Sequence, residues 1–229
     1  RSTLFPYTTL FRSTNIMKSI KNEGTAHCPH KCEPFDVEYW SLIRADQDPD
    51  LKTAAMGGEL NLVRCPECGE FFHHDGDLIY FDAPSEILVF VFSEKDRQRE
   101  PELAKRMRDD YETIKHVLLK QMNMDYPPVS VFGLEELKLL LQADEKASYE
   151  SEAVAAASAA QGFAVTRLKP SYAREHHFPF YVPTPTKNHS ANEYAVASAK
   201  VLKSGLNSTL LRNFADRMSE DGAQPPRVL

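Results

Sequence analysis

The sequence predicts an α+β protein in which antiparallel β-hairpins are followed by amphipathic helices. Short runs with the period of a β-strand lie between residues 35 and 92, and two helical stripes follow at 98–123 and 133–150. Four cysteines form two close pairs between positions 28 and 68, beside the strand signals. Strands that precede helices along the chain favour the α+β class over alternating α/β order.

Residues 35–64 predict a strand, a short helix and a second strand. FDVEYWS at 35–41 begins with alternating apolar and polar side chains, which is the period of a strand. Asp48 is a candidate N-cap for the following helix, and Gly57–Gly58 mark its end. LNLVR at 60–64 then leads into the second cysteine pair as a strand.

Residues 77–92 predict a hairpin. DLIYFD at 77–82 and EILVFVF at 86–92 are strand candidates, and Ala83–Pro84–Ser85 between them supplies a short turn. The second strand is apolar at nearly every position, so we expect it to be buried.

Two amphipathic helices follow the hairpin. The helix predicted at 98–123 has one apolar stripe that contains Leu103 and Met107. VSVF at 129–132 is a short strand candidate, and a second helix is expected over 133–150. The Ala-rich residues that continue from it have strong helix propensity but little apolar bulk, so 144–168 is interpreted as a helix or a linker.

The last part of the chain, 169–229, combines a Pro-rich segment with two helices. Four prolines between 169 and 188 predict irregular or extended structure. One closing helix is expected to be capped by Asn192 and stopped by Gly205, and the other to cover 208–219. The Pro-rich segment also carries four aromatic residues that either pack on the core or await a partner, namely Tyr172, Phe178, Phe180 and Tyr181.

The two cysteine pairs predict one structural zinc site. CPHKC places Cys28 and Cys32 in one turn, and CPECG places Cys65 and Cys68 in another. Zinc prefers four soft ligands in a tetrahedron, and a tight turn presents two thiolates to one ion. In such a turn, backbone N–H groups can point at the first sulfur, and Gly69 tolerates a positive φ at the exit. Together the two turns, each beside a hairpin, predict a zinc ribbon.

Charge around the site favours this interpretation. Four thiolates and one Zn²⁺ leave a net charge of about −2, which Lys31 and Arg64 partly compensate. A redox role for Cys65 and Cys68 is less favoured, because redox pairs sit at helix N-termini and Glu67 is expected to raise the thiol pKa.

Histidines near the cysteines are expected to lie in solvated loops. They are His27, His30, His73 and His74. The stretch HHDGD at 73–77 resembles a second metal site, but adjacent residues on a strand point to opposite faces, so a loop is the preferred interpretation.

The cysteine turns and their flanking residues resemble the CpXC family, a prokaryotic group named for paired cysteine motifs. The resemblance covers residues 25–143 and extends beyond the cysteines to Trp40, DPDL at 48–51, GEL at 58–60 and YFD at 80–82. It implies a zinc-ribbon-like domain of unknown biochemical function, and it brings no catalytic residues. The sequence departs from the pattern at the first turn, where three residues rather than two separate Cys28 from Cys32.

Residues 3–13, TLFPYTTLFRS, match the translation of a common sequencing adapter. Residues 1–16 are therefore interpreted as an artefact and leader, with Met17 as a plausible natural start. The preceding residues lack the order of a secretory signal, and no apolar run approaches the ~18 residues of a membrane helix. A cytoplasmic protein without a membrane partner is expected.

The expected function is that of a non-enzymatic protein-interaction module. The chain has a net charge of −6, and residues 25–92 carry 4 Lys/Arg against 13 Asp/Glu. This acidity disfavours nucleic acid, whose binding depends on Lys and Arg at phosphates. Residues 151–229 carry 9 Lys/Arg against 6 Asp/Glu, so a nucleic-acid-associated ribbon remains the alternative, and a thiol redox protein is the third hypothesis.

Overall fold

The computed structural model describes residues 18–114, 126–186 and 189–229 and divides into two compact units. The first unit ends at Leu141, and the second begins at Gln142. Strands and helices are both abundant in the described residues, so the predicted α+β class is confirmed. None of the helices in these ranges is long and apolar enough to cross a membrane.

The described part of the first unit contains short strands with helices between them. Its strands are β1 (Ile20–Ala26), β2 (Phe35–Arg44), β3 (Leu62–Arg64), β4 (Phe71–His73), β5 (Leu78–Asp82), β6 (Ile87–Phe92) and β7 (Val129–Phe132). Its helices are α1 (Pro49–Gly57), a 3₁₀ helix (Glu94–Arg99), α2 (Glu100–Ile114) and the start of α3 (Gly133–Ala160). Residues of α3 from Gln142 onward belong to the second unit.

A five-stranded sheet in the order β1-β2-β5-β6-β7 organises the first unit. The β5–β6 pair is antiparallel, which confirms the hairpin predicted at 77–92. β1 also pairs with β2 in antiparallel orientation, whereas the β2–β5 and β6–β7 pairs are parallel. β3 and β4 form a separate two-stranded antiparallel sheet.

Strand β6 is buried along its whole length because both faces of the sheet are covered. Its even-numbered residues join one core cluster with Leu103 and Met107 of α2. Its odd-numbered residues join a second cluster with Ala55 of α1 and Leu137 of α3. A strand covered on both faces has no position that needs a polar side chain, which explains the unbroken apolar run.

Helix α1 begins and ends close to the predicted positions. Pro49 lies in its first turn, and Gly58, with φ of 75°, follows its last residue. Asp48 occupies the predicted N-cap position, but its side chain makes no cap hydrogen bond. The Asp48 carboxylate instead accepts hydrogen bonds from the Ser19 backbone N–H at 3.3 Å and from the Ser19 hydroxyl at 2.5 Å.

The helix predicted at 98–123 begins as the 3₁₀ helix and continues as α2. Ser93 caps its start by accepting a hydrogen bond from the Lys95 backbone N–H. Leu103 and Met107 are buried, as the predicted apolar stripe requires. The rest of this prediction, over 115–123, lies outside the described residues.

The second unit contains the remainder of α3, two short strands and three further helices. They are β8 (Val165–Arg167), α4 (Pro170–Glu175), β9 (Tyr181–Pro183), α5 (Ala191–Lys203) and α6 (Thr209–Ser219). The irregular or extended structure predicted over 169–188 is confirmed at the extended strand β9 and is wrong at α4, which is helical. Pro170 is compatible with α4 because a residue in the first helical turn needs no N–H donor.

The aromatic residues of the Pro-rich segment pack on the core of the second unit. Phe178 and Phe180 are buried, and Tyr172 and Tyr181 are partly buried against the same cluster. The Phe180 backbone N–H donates a hydrogen bond to the Ser151 hydroxyl of α3 at 2.8 Å. The small side chains of the Ala-rich part of α3 therefore let this segment approach the helix closely.

Serine side chains cap both closing helices. Ser190 accepts a hydrogen bond from the Glu193 backbone N–H at 3.4 Å and is the N-cap of α5, so the predicted cap Asn192 is wrong. Ser208 caps α6, as the predicted start of that helix requires, and its hydroxyl donates to Glu150 at 2.7 Å.

Candidate metal centre

The structure brings the four cysteine side chains together at one end of the first unit's hairpins. One Sγ atom from each of Cys28, Cys32, Cys65 and Cys68 lies within 4.8 Å of the other three. The Sγ atoms of Cys28 and Cys68 are 3.6 Å apart. Across the described ranges, this is the group of His, Cys, Asp and Glu side chains whose geometry suits a metal ion.

The first cysteine turn accommodates its additional residue through Lys31. The Lys31 backbone N–H donates to the Cys28 carbonyl at 3.0 Å, and Lys31 adopts a positive φ of 62°. The left-handed conformation reverses the chain direction before Cys32. The His30 backbone N–H lies 3.4 Å from the Cys28 sulfur, so one N–H group already points at the first thiol of this turn.

The second turn has the geometry that its sequence predicts. The Gly69 backbone N–H donates to the Cys65 carbonyl at 3.0 Å, and the Cys65 N–H donates to the Glu70 carbonyl at 2.8 Å. Gly69 has a φ of 78°, which confirms the predicted left-handed position at the turn's exit. These bonds fix Cys65 and Cys68 on one side of the turn.

Backbone N–H groups favour the thiolate form of Cys65. The Cys68 N–H lowers the pKa of the Cys65 thiol to about 7 against the effect of burial, and the Glu67 N–H acts in the same direction. The raised thiol pKa expected for this pair is therefore wrong for Cys65, whereas the pKa of Cys68 is raised: the Glu70 N–H lowers it, but burial and the Cys28 thiol outweigh that effect. The Glu67 carboxylate accepts a hydrogen bond from the Glu33 backbone N–H at 3.2 Å, which links the two turns.

Burial differs among the four thiols. Cys28 and Cys65 are buried, Cys32 is partly buried and Cys68 is exposed. Burial and the neighbouring Cys68 thiol raise the pKa of Cys32.

Aromatic contacts hold the two hairpins around the cluster. The rings of Phe35 in β2 and Phe72 in β4 meet edge to face, with centroids 6.1 Å apart. The Arg64 guanidinium lies 5.8 Å from the centroid of the Phe71 ring. Arg64 thus lies beside the second turn, and its compensation of the thiolate charge stays a prediction.

The nearby histidines make other contacts. His73 Nδ1 is within hydrogen-bonding distance of the Leu60 carbonyl at 3.0 Å, and the His74 ring lies 4.3 Å from the Tyr39 ring. His27 and His30 do not belong to the donor group found among the described residues. Within HHDGD, His73 is the last residue of β4, and residues 74–77 form the loop that was predicted there.

Sequence reasoning missed two ion pairs with buried members at the ends of β2 and β5. Arg44 forms a two-point contact with Asp46, with N–O distances of 2.9 and 2.8 Å, and its guanidinium lies over the Phe81 ring. Asp82 accepts a hydrogen bond from Lys52 at 2.7 Å. The sequence does contain an indication of these pairs. Arg44 and Asp82 each directly follow apolar residues at the end of a strand, and a charged side chain that is buried there needs a partner.

Asp77, at the end of HHDGD, introduces a pH dependence into folding. Burial raises its pKa from 3.8 to about 6, although the Ser93 backbone N–H opposes this shift. The folded state therefore binds the proton more tightly than the unfolded state does. The contribution of Asp77 to stability is therefore fully present below about pH 4, is lost as the pH rises through the window from about 4 to 6, and stays lost above it.

Asp77→Asn is expected to raise the free energy of unfolding by about 1–3 kcal/mol at pH 7.5 and by about half as much at pH 5. The amide oxygen keeps an acceptor for Ser93 N–H while the buried charge is removed. Urea unfolding of both proteins at the two pH values measures the difference. A gain that is independent of pH would show that Asp77 is not the titrating group.

The fold and the cluster define a class, an α+β protein whose first unit carries four cysteines in an arrangement that can hold a metal ion. A family model described as CpXC protein matches residues 26–145, which include all four cysteines and strands β2, β5, β6 and β7 of the five-stranded sheet, but only Ala26 of β1. The chain belongs to the CpXC family, which confirms the resemblance seen in the sequence. No curated protein and no solved structure matches the chain.

Proposed function

We propose that the four cysteines bind one structural Zn²⁺. The observation that carries this proposal is the mutual approach of all four Sγ atoms within 4.8 Å. Tetrahedral zinc with bonds of about 2.3 Å places its sulfur ligands about 3.8 Å apart. The Cys28–Cys68 separation of 3.6 Å is close to this value, so a small movement of the turns suffices to complete the site.

The donor chemistry fits the proposed ion. Thiolates are soft ligands that favour zinc or iron in tetrahedral sites. The N–H groups that lower the pKa of Cys65 and the N–H group at the Cys28 sulfur both stabilise negative charge on the ligands. The thiols also suit a reducing compartment, so we propose a cytoplasmic location.

A closed site of this kind supports a structural role. Four protein ligands fill a tetrahedron and leave no position at which zinc can activate water or polarise a substrate. We therefore propose that the protein is not an enzyme and that it acts by binding another protein through the surface that the ribbon stabilises.

Nucleic acid is the less favoured partner. Residues 25–92, which contain the proposed zinc site, carry 4 Lys/Arg against 13 Asp/Glu. Most of the basic groups in the described first unit are also paired with carboxylates, as Lys52 is with Asp82 and Arg97 with Glu94 and Glu136. Such a surface repels phosphates rather than neutralising them.

Metal analysis of the full chain, purified without added metal, tests the proposal. We expect one zinc per chain and no free thiol until a chelator or a mercurial reagent removes the ion. Iron in place of zinc would refute the identity of the metal, and a metal-free protein with a reversible Cys65–Cys68 disulfide would favour redox chemistry. Binding to short DNA or RNA duplexes that weakens steeply with salt would favour the nucleic-acid alternative.

A further inference from the structure

Strand β1 leaves a long backbone edge open in the five-stranded sheet. It is the terminal strand in the order β1-β2-β5-β6-β7, and within the described ranges no strand pairs with its outer edge. Its seven residues contain no proline, so each backbone N–H on the side away from β2 is able to donate. The opposite edge, β7, has four residues, and the Phe132 N–H is already bonded to the Glu136 side chain.

Strand β2 supplies an ion-pair partner for one charged residue of β1, Lys21, but places a like charge opposite the other, Glu23. Glu23 lies directly opposite Glu38, and like charges in that position destabilise a sheet. Lys21 forms an ion pair with Glu38 at 3.4 Å, whereas no ion pair to Glu23 is present among the described residues. Lys21, Glu23 and Thr25 are all exposed on the same face of the strand.

We propose that β1 pairs with β1 of a second copy of this chain in antiparallel register about Asn22. Two strands related by a twofold axis at Asn22 place residue 21 opposite residue 23 in both directions. Lys21 of each copy then faces Glu23 of the other, and both ion pairs lie on one face of a continuous sheet. Each Glu23 gains the cation that β2 does not supply.

The charge pattern selects a second copy over an unrelated strand. A lysine on an edge strand opposes pairing with apolar strands, since its charge must then be desolvated. In an antiparallel pair, the Lys-Asn-Glu sequence of β1 avoids that penalty when the partner strand places a Glu opposite Lys21 and a Lys opposite Glu23. Another β1 satisfies this condition by symmetry, and the contact closes as a twofold dimer.

Charge exchange on the full chain tests the dimer by sedimentation equilibrium at low salt. Lys21→Glu and Glu23→Lys each place like charges opposite one another, and each is expected to weaken dimerisation about tenfold or more. The double variant K21E/E23K restores both ion pairs in reversed order and is expected to return the dissociation constant to within about threefold of the original. Lys105→Glu, an exposed charge reversal on α2, is the matched control and is expected to have no effect.

Two results would overturn the proposal. One is a monomer at all accessible concentrations, and the other is a dimer whose dissociation constant is the same in the single and double variants. The zinc content of each sample is measured alongside. A fully zinc-loaded monomer would refute the dimer alone, and a metal-free dimer that responds to charge exchange would refute the metal proposal alone.

Discussion

Cys65→Ser is expected to abolish zinc binding and to unfold the small sheet formed by β3 and β4. Cys65 is only 1% exposed, and its sulfur receives backbone N–H groups from Glu67 and Cys68 that favour a thiolate. A serine hydroxyl at that position stays protonated near neutral pH and is a poor ligand for zinc. The three remaining thiolates cannot complete the tetrahedron.

The loss is expected to be local and large because the ribbon has little core of its own. β3 and β4 have three residues each, and Leu62 and Phe71 on their outer face are 44% and 61% exposed. An isolated two-stranded sheet is at best marginally stable in water. Structural zinc sites in small peptides supply an apparent binding free energy of about 10–16 kcal/mol at pH 7, which far exceeds what such a hairpin obtains from burial.

Zinc content and hydrogen exchange measure the two parts of this prediction. We expect less than about a tenth of a zinc per chain and loss of amide protection over β3 and β4. Protection in β5 and β6 is expected to persist, because their residues join core clusters that contain no cysteine.

Glu67→Gln is the matched control for Cys65→Ser. It changes an exposed residue in the same turn, and the amide oxygen keeps an acceptor for the Glu33 N–H. Zinc content and amide protection are expected to match those of the original protein. If Cys65→Ser retained a full equivalent of zinc, the proposed site would be wrong.

The sequence predicts the elements of this fold better than their assembly. The β5–β6 hairpin was accessible because its turn, Ala83–Pro84–Ser85, lies between two apolar runs and the signal is local. The parallel pairs β2–β5 and β6–β7 are not predictable in this way. Other elements separate the paired strands along the chain, so no short turn between them indicates the pairing. Single-residue caps were also uncertain, since Ser190 and Asn192 are both good capping residues two positions apart.

For the metal centre, residue spacing predicted the donors but not their environment. The sequence CPECG predicts the geometry of its turn, because Gly69 readily adopts the left-handed conformation that the last residue of the turn requires. The first turn gave less information, because Lys31, which has no such preference, adopts the positive φ there. The lowered pKa of Cys65 depends on the direction of backbone N–H groups, which the charge of Glu67 in the sequence does not reveal.

Phe214→Ala is expected to destabilise the second unit by about 3–5 kcal/mol, the usual cost of emptying a fully buried phenylalanine site. Phe214 is 0% exposed, and α6 places it between the rings of Phe178 and Tyr194, at centroid distances of 5.2 and 6.0 Å. Both ring pairs meet edge to face, and such pairs add about 0.5–1.5 kcal/mol to the effect of burial. Because a domain is typically stable by only about 5–15 kcal/mol, this single change removes a large fraction of the total.

The expected loss of stability falls on the second unit because Phe214 packs against elements that are distant in sequence. Phe178 follows α4, and Tyr194 belongs to α5. Among the described residues, the Phe214 ring is the aromatic side chain that contacts both, so its removal leaves a cavity where α6, α5 and the residues after α4 meet. Val196→Ala on α5 is the matched control. Val196 is 43% exposed, and its truncation is expected to change the free energy of unfolding by no more than about 0.5 kcal/mol.

Urea unfolding followed by far-UV circular dichroism, with hydrogen exchange over α5 and α6, measures the effect of Phe214→Ala. The zinc content is expected to be unchanged, because all four cysteines belong to the first unit, and it reports that this unit has folded. Trp40, the one tryptophan of the chain, lies in β2 and provides a separate fluorescence signal from the first unit. A loss below about 1 kcal/mol would mean that neighbouring side chains fill the space, and the aromatic cluster would then not be what holds α6 in place.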